Sequence, residues 1–137
     1  MISPDTSVLI AGFVPTHPFH SRAARRLAAV RRDGRLVAHT LAETYAVLTA
    51  PGGPYRAGPE AVVDYLEQFL ARPPAALSGS AYADHVRRLS GLALVGGAVY
   101  DALIALTATD AGATLVSLDR RAARSYRACG VEAELLD

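Results

Sequence analysis

Ala113-Thr114-Leu115-Val116-Ser117-Leu118 is an apolar, strand-like run that stops at Asp119, and Arg120–Cys129 then takes up a helical pattern closed by Gly130. A short strand handed to a helix through one acidic residue is a piece of a crossover unit. Outward from this segment the chain repeats the alternation. Gly97–Ala111 reads as a helix that starts after Gly96-Gly97 and ends at Gly112, and Val131–Leu135 as a last short strand. At the other end Met1–Pro4 forms a short strand that also stops at an acid, Asp5, and a short helix over Thr6–Gly12 follows. Between these ends, helices are predicted over His20–Asp33, Thr40–Ala50 (with Thr40 as N-cap), Pro59–Ala71 and Ser80–Ser90, with short strands at Leu36–Ala38 and Ala75–Leu77. Strands separated by helices require crossover connections. The expected fold class is therefore α/β, a three-layer α/β/α arrangement around a four- to five-stranded, mostly parallel sheet. In such sheets ligands gather beyond the carboxyl ends of the strands.

The chain has 137 residues, which suits one domain over residues 1–137. Hydrophobic residues make up 51% and charged residues 20%, the balance of a globular chain. No apolar run approaches the ~18 residues needed to cross a bilayer. The start, Met1-Ile2-Ser3-Pro4-Asp5, has no basic region before an apolar segment, so a signal peptide is not expected and the cytoplasm is the default compartment. Cys129 is the single cysteine, which excludes an internal disulfide and any cysteine-based zinc cluster. Net charge is +1, and all 14 basic residues are arginine. Arginine clamps phosphate but does not titrate near neutrality.

Four carboxylates stand where the local sequence favours burial. Asp5 is the only charged residue from Met1 to Ser21, Glu43 the only one between Arg35 and Arg56, and Asp101 the only one between Arg88 and Asp110. Asp119 follows an apolar strand directly. Burying an unpaired carboxylate costs several kcal/mol or forces it neutral. Asp5 and Asp119 sit at strand ends. Glu43 and Asp101 sit about one turn into helices, and Asp101 has Gly97, Ala98, Ile104 and Ala105 as its helical neighbours. Helices that follow parallel strands begin at the rim where the strands end, so all four can converge there. Like charges so gathered repel unless a divalent cation joins them. Mg²⁺ or Mn²⁺ prefers carboxylate, water and phosphate oxygens. The constellation suits metal-dependent phosphodiester hydrolysis. Three of the acids also have a plainer role open to them, whereas Asp101, a turn inside its helix, does not suit a cap. Asp5 and Asp119 suit helix N-caps, and Glu43 could pair with an arginine.

The same residues resemble a known family. Met1-Ile2-Ser3-Pro4-Asp5-Thr6-Ser7-Val8-Leu9-Ile10 resembles the opening of PIN-domain ribonucleases, and Leu41-Ala42-Glu43-Thr44-Tyr45 resembles their glutamate helix. Gly97-Ala98-Val99-Tyr100-Asp101-Ala102-Leu103-Ile104-Ala105 and Thr114-Leu115-Val116-Ser117-Leu118-Asp119-Arg120-Arg121-Ala122 resemble the third and fourth acidic motifs, in family order and at family spacing. The length matches VapC-like toxins of bacterial VapBC toxin–antitoxin pairs. One departure is Ser3-Pro4, where many relatives have an unbroken apolar strand; Pro4 removes one ladder donor.

The resemblance implies a PIN-like fold, an Mg²⁺ or Mn²⁺ cofactor and an RNA substrate cut to 5′-phosphate and 3′-hydroxyl ends. It also implies a homodimer and an inhibitory VapB-like antitoxin. Asp5, Glu43, Asp101 and Asp119 would be the acidic ligands or water-activating groups, with Thr6 and Ser117 beside the metal. Asp5 and Asp101 are expected to bind the principal ion, Asp119 to complete its shell or support a second, and Glu43 to orient or deprotonate the attacking water.

Arg22, Arg25, Arg26, Arg31 and Arg32 lie on one predicted helix and Arg120, Arg121, Arg124 and Arg127 on another. Most suit a solvated face, and Arg120 or Arg121 is placed to meet an RNA backbone. Aromatics are only 7% of the chain, with no tryptophan and no run that suggests base stacking. His17, His20, His39 and His85 lack metal-ligand spacing, although His39 is one turn from Glu43. Cys129 reads as a packing residue. Val62, Leu66, Phe69 and Leu70 read as core, with extension into a dimer or antitoxin groove as the other possibility. Haloacid-dehalogenase-like phosphatases and receiver domains also place an Asp after strand 1, but both need a lysine near the later acid and this chain has none. Motifs for nucleophile elbows, P-loops and dinucleotide binding are missing. A non-enzymatic alternative is a PIN-like RNA-binding or scaffold module with little catalytic activity.

Overall fold

The computed structural model describes residues Met1–Asp137. In chain order the elements are β1 (Ile2–Pro4), α1 (Thr6–Phe13), α2 (His20–Asp33), α3 (Ala38–Thr49), α4 (Pro59–Glu67), α5 (Gly79–Gly91), α6 (Ala98–Asp110), β2 (Thr114–Ser117), α7 (Arg120–Ala128) and β3 (Glu134–Leu135). The sheet is parallel with order β1-β2-β3. It has three strands rather than four or five. The expected strands at Leu36–Ala38 and Ala75–Leu77 are present only as one isolated parallel bridge, Val37 to Ala75, and a second bridge, Ile2 to Gly34, lies just before the first segment. The reason is local. Helix α3 takes over at Ala38, three residues after Arg35 donates to the Ile2 carbonyl. Pro73-Pro74 supplies no amide donors just before Ala75, which then pairs with Leu36 and Ala38. The fold is α/β and PIN-like.

Period-two alternation in β2 divides the interior. Leu115 faces a core with α6 and α7, made of residues such as Leu103, Ile104, Leu106, Ala123 and Tyr126. Val116 faces a second core with Val8 and Leu9 of α1, Leu27 and Val30 of α2, Leu48 of α3, and Val62, Leu66 and Phe69. Val62 and Leu66 of α4 and Phe69 just after it are therefore core, and Leu70 is part exposed. Helix α6 is buried from Ala102 through Ala108, which is why it carries no amphipathic stripe. Helix α7 buries Ala122, Ala123, Ser125 and Tyr126 and turns its arginines outward.

One further feature differs from the sequence reading. Helix α3 starts two residues early with Val37 at its N-cap and no side-chain cap bond, so Thr40 lies inside the helix, fully buried. Gly34 ends α2 as the sequence predicts, packed against the helix's own last turn. A Cβ there would stand 2.4 Å from the Val30 carbonyl oxygen, so the position excludes any side chain.

Candidate active site

The parallel register fixes the site. Pro4 pairs with Val116, and the Asp5 amide continues the ladder by donating to the Val116 carbonyl at 2.9 Å. Both strands end at one rim, so Asp5 and Asp119 emerge side by side. Helices α3 and α6 present Glu43 and Asp101 to the same place. One small cavity of about 50 Å³ is lined by Asp5, Thr6, Ser7, Glu43, Asp101, Asp119 and Tyr126, together with Ile104 and Ala122. The structure thus brings the four acids together from four separate parts of the chain.

Their surroundings differ. Asp5 is 4% exposed and heavily engaged. Its Oδ1 accepts from the Val8 amide at 3.2 Å and from the Ser7 hydroxyl, and its Oδ2 accepts from the Tyr126 hydroxyl at 2.9 Å. Burial nevertheless pushes the Asp5 carboxyl above its ordinary range, and hydrogen bonds from hydroxyls and the Val8 amide only partly offset it. Glu43 Oε1 accepts from the Thr6 hydroxyl at 2.5 Å, and its Oε2 lies 3.6 Å from His39 Nε2. Asp119 Oδ1 caps α7, accepting from the Arg121 amide at 2.8 Å and the Ala122 amide at 3.1 Å. Asp101 has no hydrogen-bond or ion-pair partner. Burial first, then the charges of Glu43, Asp119 and Asp5, raise it from 3.8 to about 6. No arginine reaches any of the four; the chain's ion pairs lie elsewhere, apart from His39 with Glu43.

Carboxylates gathered with so little positive charge beside them repel one another, and a divalent cation is one way to relieve that repulsion. No three histidine, cysteine or carboxylate side chains are close enough to enclose an ion by themselves. The donors are hard oxygens, which fits an ion that takes one or two carboxylates and completes its shell with water and phosphate oxygens, as Mg²⁺ does.

The other residues singled out in the sequence are placed as follows. The Thr6 side chain is turned to Glu43. Ser117 is fully buried and its hydroxyl accepts from the Asp119 amide at 2.9 Å, so it shapes the turn that carries Asp119. Arg120 points to solvent and pairs with Asp137 at 2.8 Å. His39 touches the cluster through Glu43. Two participants were not legible in the sequence. Ser7 ties the strand ends together, donating to Asp5 and accepting from the Leu118 amide at 2.9 Å. Tyr126 occupies the apolar face of α7 and reads there as core; the one signal was that a buried tyrosine needs an acceptor. Beside the acidic cavity, and sharing Ser7 and Asp119 with it, opens a cleft of about 780 Å³ flanked by His17, Phe19, Tyr55, Arg120 and Arg121.

The chain is similar to known proteins over nearly its whole length. The chain matches the PIN domain over residues 2–128. It is 43% identical over 136 residues to Ribonuclease VapC40 from two strains of Mycobacterium tuberculosis, covering 99% of both chains. It is 38% identical over 131 residues to Ribonuclease VapC27 of the same species, covering 95% of this chain and 93% of the relative.

Proposed function

This chain belongs to the PIN-domain family, and on that premise we propose that it is a metal-dependent endoribonuclease, the toxin of a toxin–antitoxin pair that arrests growth by cutting cellular RNA. The observation that carries the chemistry is the convergence of Asp5, Glu43, Asp101 and Asp119 on one cavity that no arginine reaches, with His39 beside Glu43 as the one nearby basic side chain. Bound there, Mg²⁺ or Mn²⁺ would offset the clustered charge, draw in the phosphodiester and stabilise the leaving oxygen. Asp101, which has no other partner, and Asp5, rigidly held, would hold the principal ion. Asp119 keeps Oδ2 free while Oδ1 caps α7, so it can complete that shell through a water or support a second ion.

Glu43 takes the part of water-orienting base. The Thr6 hydroxyl occupies its Oε1, and Oε2 remains to receive the proton of an attacking water. His39, on the Oε2 side, steadies that carboxylate. The products would carry 5′-phosphate and 3′-hydroxyl ends. RNA would approach along the cleft beside Asp119. The Arg120–Asp137 pair there is largely exposed, worth about 0–1 kcal/mol, and easily exchanged for a phosphate contact. Arg22, Arg25 and Arg26 line an adjoining hollow that shares Leu136 and Asp137 with the cleft, and extend the basic approach.

The functional partners would be a VapB-like antitoxin and a second copy of the chain. Exposed Tyr82, Val86, Leu92 and Val95 on and after α5 support self-association. No helix is long and apolar enough to cross a membrane, in keeping with a cytoplasmic role. The deciding experiment compares RNA cleavage and growth arrest by wild type and Asp5→Asn with Mg²⁺, Mn²⁺ or EDTA. Cleavage should need the ion and vanish in the variant. Equal activity in Asp5→Asn overturns the mechanism, and growth arrest without cleavage favours an RNA-binding module instead.

A further inference from the structure

We propose that His39 and Tyr100 form a nucleobase platform at the edge of the acidic cavity, which stacks the base of a nucleotide next to the scissile phosphate. The inference rests on the ribonuclease reading and extends it to how the substrate is gripped. The two rings lie parallel, with an interplanar angle of 3° and centroids 5.3 Å apart, an offset stack. They come from different helices. His39 is in the first turn of α3 and Tyr100 in the first turn of α6, so the pair spans the two helices that deliver Glu43 and Asp101. His39 Nε2 is 3.6 Å from Glu43 Oε2, and Tyr100 immediately precedes Asp101. The pair therefore meets the carboxylate cluster through His39 and Glu43.

The exposure of Tyr100 sets it apart. Tyr126 is 1% exposed and its hydroxyl is used by Asp5, whereas Tyr100 is 53% exposed while its ring is already held by His39. A large aromatic face kept in water but fixed in orientation has lost little freedom still to lose on binding, which favours a planar ligand. The acidic cavity, at about 50 Å³ and lined by carboxylates, has no room for a base. With a phosphate at the carboxylates, the neighbouring base must lie outside, and on the side of Glu43 and Asp101 the exposed Tyr100 ring offers it a flat apolar surface, as the aromatic rings of the cleft do on the side of Asp119. Every base has a π-face, so such a platform grips single-stranded RNA with little sequence preference.

The test uses cleavage of a fluorogenic, mixed-sequence single-stranded RNA in Mg²⁺ by wild type, Tyr100→Ala, Tyr100→Phe and Asp101→Asn. Loss of one base–aromatic stack should raise KM on the order of tenfold in Tyr100→Ala. Its kcat, its Mg²⁺ affinity by calorimetry and its thermal midpoint should stay near wild type, and Tyr100→Phe should keep the wild-type KM. In parallel, single-stranded RNA carrying 2-aminopurine is bound to Asp5→Asn, with and without Tyr100→Ala. Quenching that disappears with the ring supports the platform. A wild-type KM in Tyr100→Ala, while Asp101→Asn is inactive, overturns the platform and leaves the nuclease standing. A KM change that tracks dissociation of a dimer in light scattering also overturns it, because Tyr100 would then be a contact between copies. If wild type does not cleave RNA the ribonuclease reading falls, and the quenching arm alone decides the platform.

Discussion

Replacing Asp101 by Asn should make the metal-free protein more stable, and that sign separates a cation site from an ordinary polar cluster. Asp101 is displaced from 3.8 to about 6 by burial and by Glu43, Asp119 and Asp5. The folded state therefore favours the protonated carboxyl. Between pH 4 and pH 6 the native chain holds more protons than the unfolded one, so stability falls as pH rises through that window and stays lowered above it. At about 1.4 kcal/mol per pH unit the displacement corresponds to about 3 kcal/mol. Water reaches this part-exposed group and screens it, which leaves about 1–2 kcal/mol. Asn keeps the shape and removes the charge. In EDTA at pH 8 the thermal midpoint of Asp101→Asn should exceed wild type by about 3–8 °C. At pH 4 the gain should vanish, because Asp101 is then neutral in the folded wild type too. Saturating Mg²⁺ should reverse the order, since ligand at a hundred times its Kd adds about 2.7 kcal/mol and the variant loses much of that binding. Differential scanning fluorimetry over pH, with and without Mg²⁺, reads all three. A variant less stable than wild type by the same margin at pH 4 and pH 8 in EDTA refutes the reasoning.

Four other outcomes are expected. Tyr126→Phe removes the donor to Asp5 Oδ2, a bond to a charged group worth about 1.5–3 kcal/mol, and should weaken Mg²⁺ binding severalfold by calorimetry; unchanged affinity would make Tyr126 a packing residue only. Thr6→Val frees Glu43 Oε1 and should lower kcat about tenfold with KM unchanged, whereas Thr6→Ser keeps activity; a KM effect instead would move Thr6 to substrate binding. Arg120→Ala should weaken RNA binding alike for all sequences and reduce the salt slope by about 1, measured by titrating binding against KCl; an unaltered slope removes it from the RNA path. Gly34→Ala forces a Cβ against the Val30 carbonyl and should cost about 1–3 kcal/mol in chemical denaturation, while the folded fraction cleaves normally.

What the sequence revealed follows from the kind of signal each feature leaves. The helix at His20–Asp33 is found with both ends as expected, because Pro15, Pro18 and Gly34 bracket a clear amphipathic stripe. The strands at 36–38 and 75–77 were overstated for the opposite reason. A short apolar run reports burial but says nothing about how many amides find partners, and here each segment makes one bridge. Val131–Leu135 likewise shrinks to Glu134–Leu135. The four acids were legible because charge is rare in the segments that hold them. Tyr126 and Ser7 were not, since a tyrosine on an apolar helix face and a serine in a first turn look like packing and solvent. The His39–Tyr100 stack joins residues 61 positions apart in sequence, counting from 39 to 100, and no local pattern encodes it.

Asp5 and Asp119 also resolve a choice the sequence left open between helix cap and cluster member. Both are caps: Asp5 accepts from Val8 and Asp119 from Arg121 and Ala122, each through Oδ1. Both also line the acidic cavity. The roles are compatible because a carboxylate has two oxygens. A cap bond fixes one oxygen at a helix N-terminus, where the dipole favours negative charge, and so holds the carboxylate plane still. The second oxygen is then aimed without further ordering. For Asp119 it carries no hydrogen bond within the chain, and for Asp5 it is set by Tyr126. Parallel strands that end at one rim, each followed at once by a helix, thus supply two immobilised carboxylates from the least sequence. Glu43 and Asp101, which cap nothing, need other means of being held. Glu43 has Thr6 and His39, while Asp101 has no hydrogen-bond partner and faces the charges of Glu43, Asp119 and Asp5, so a cation would relieve it directly.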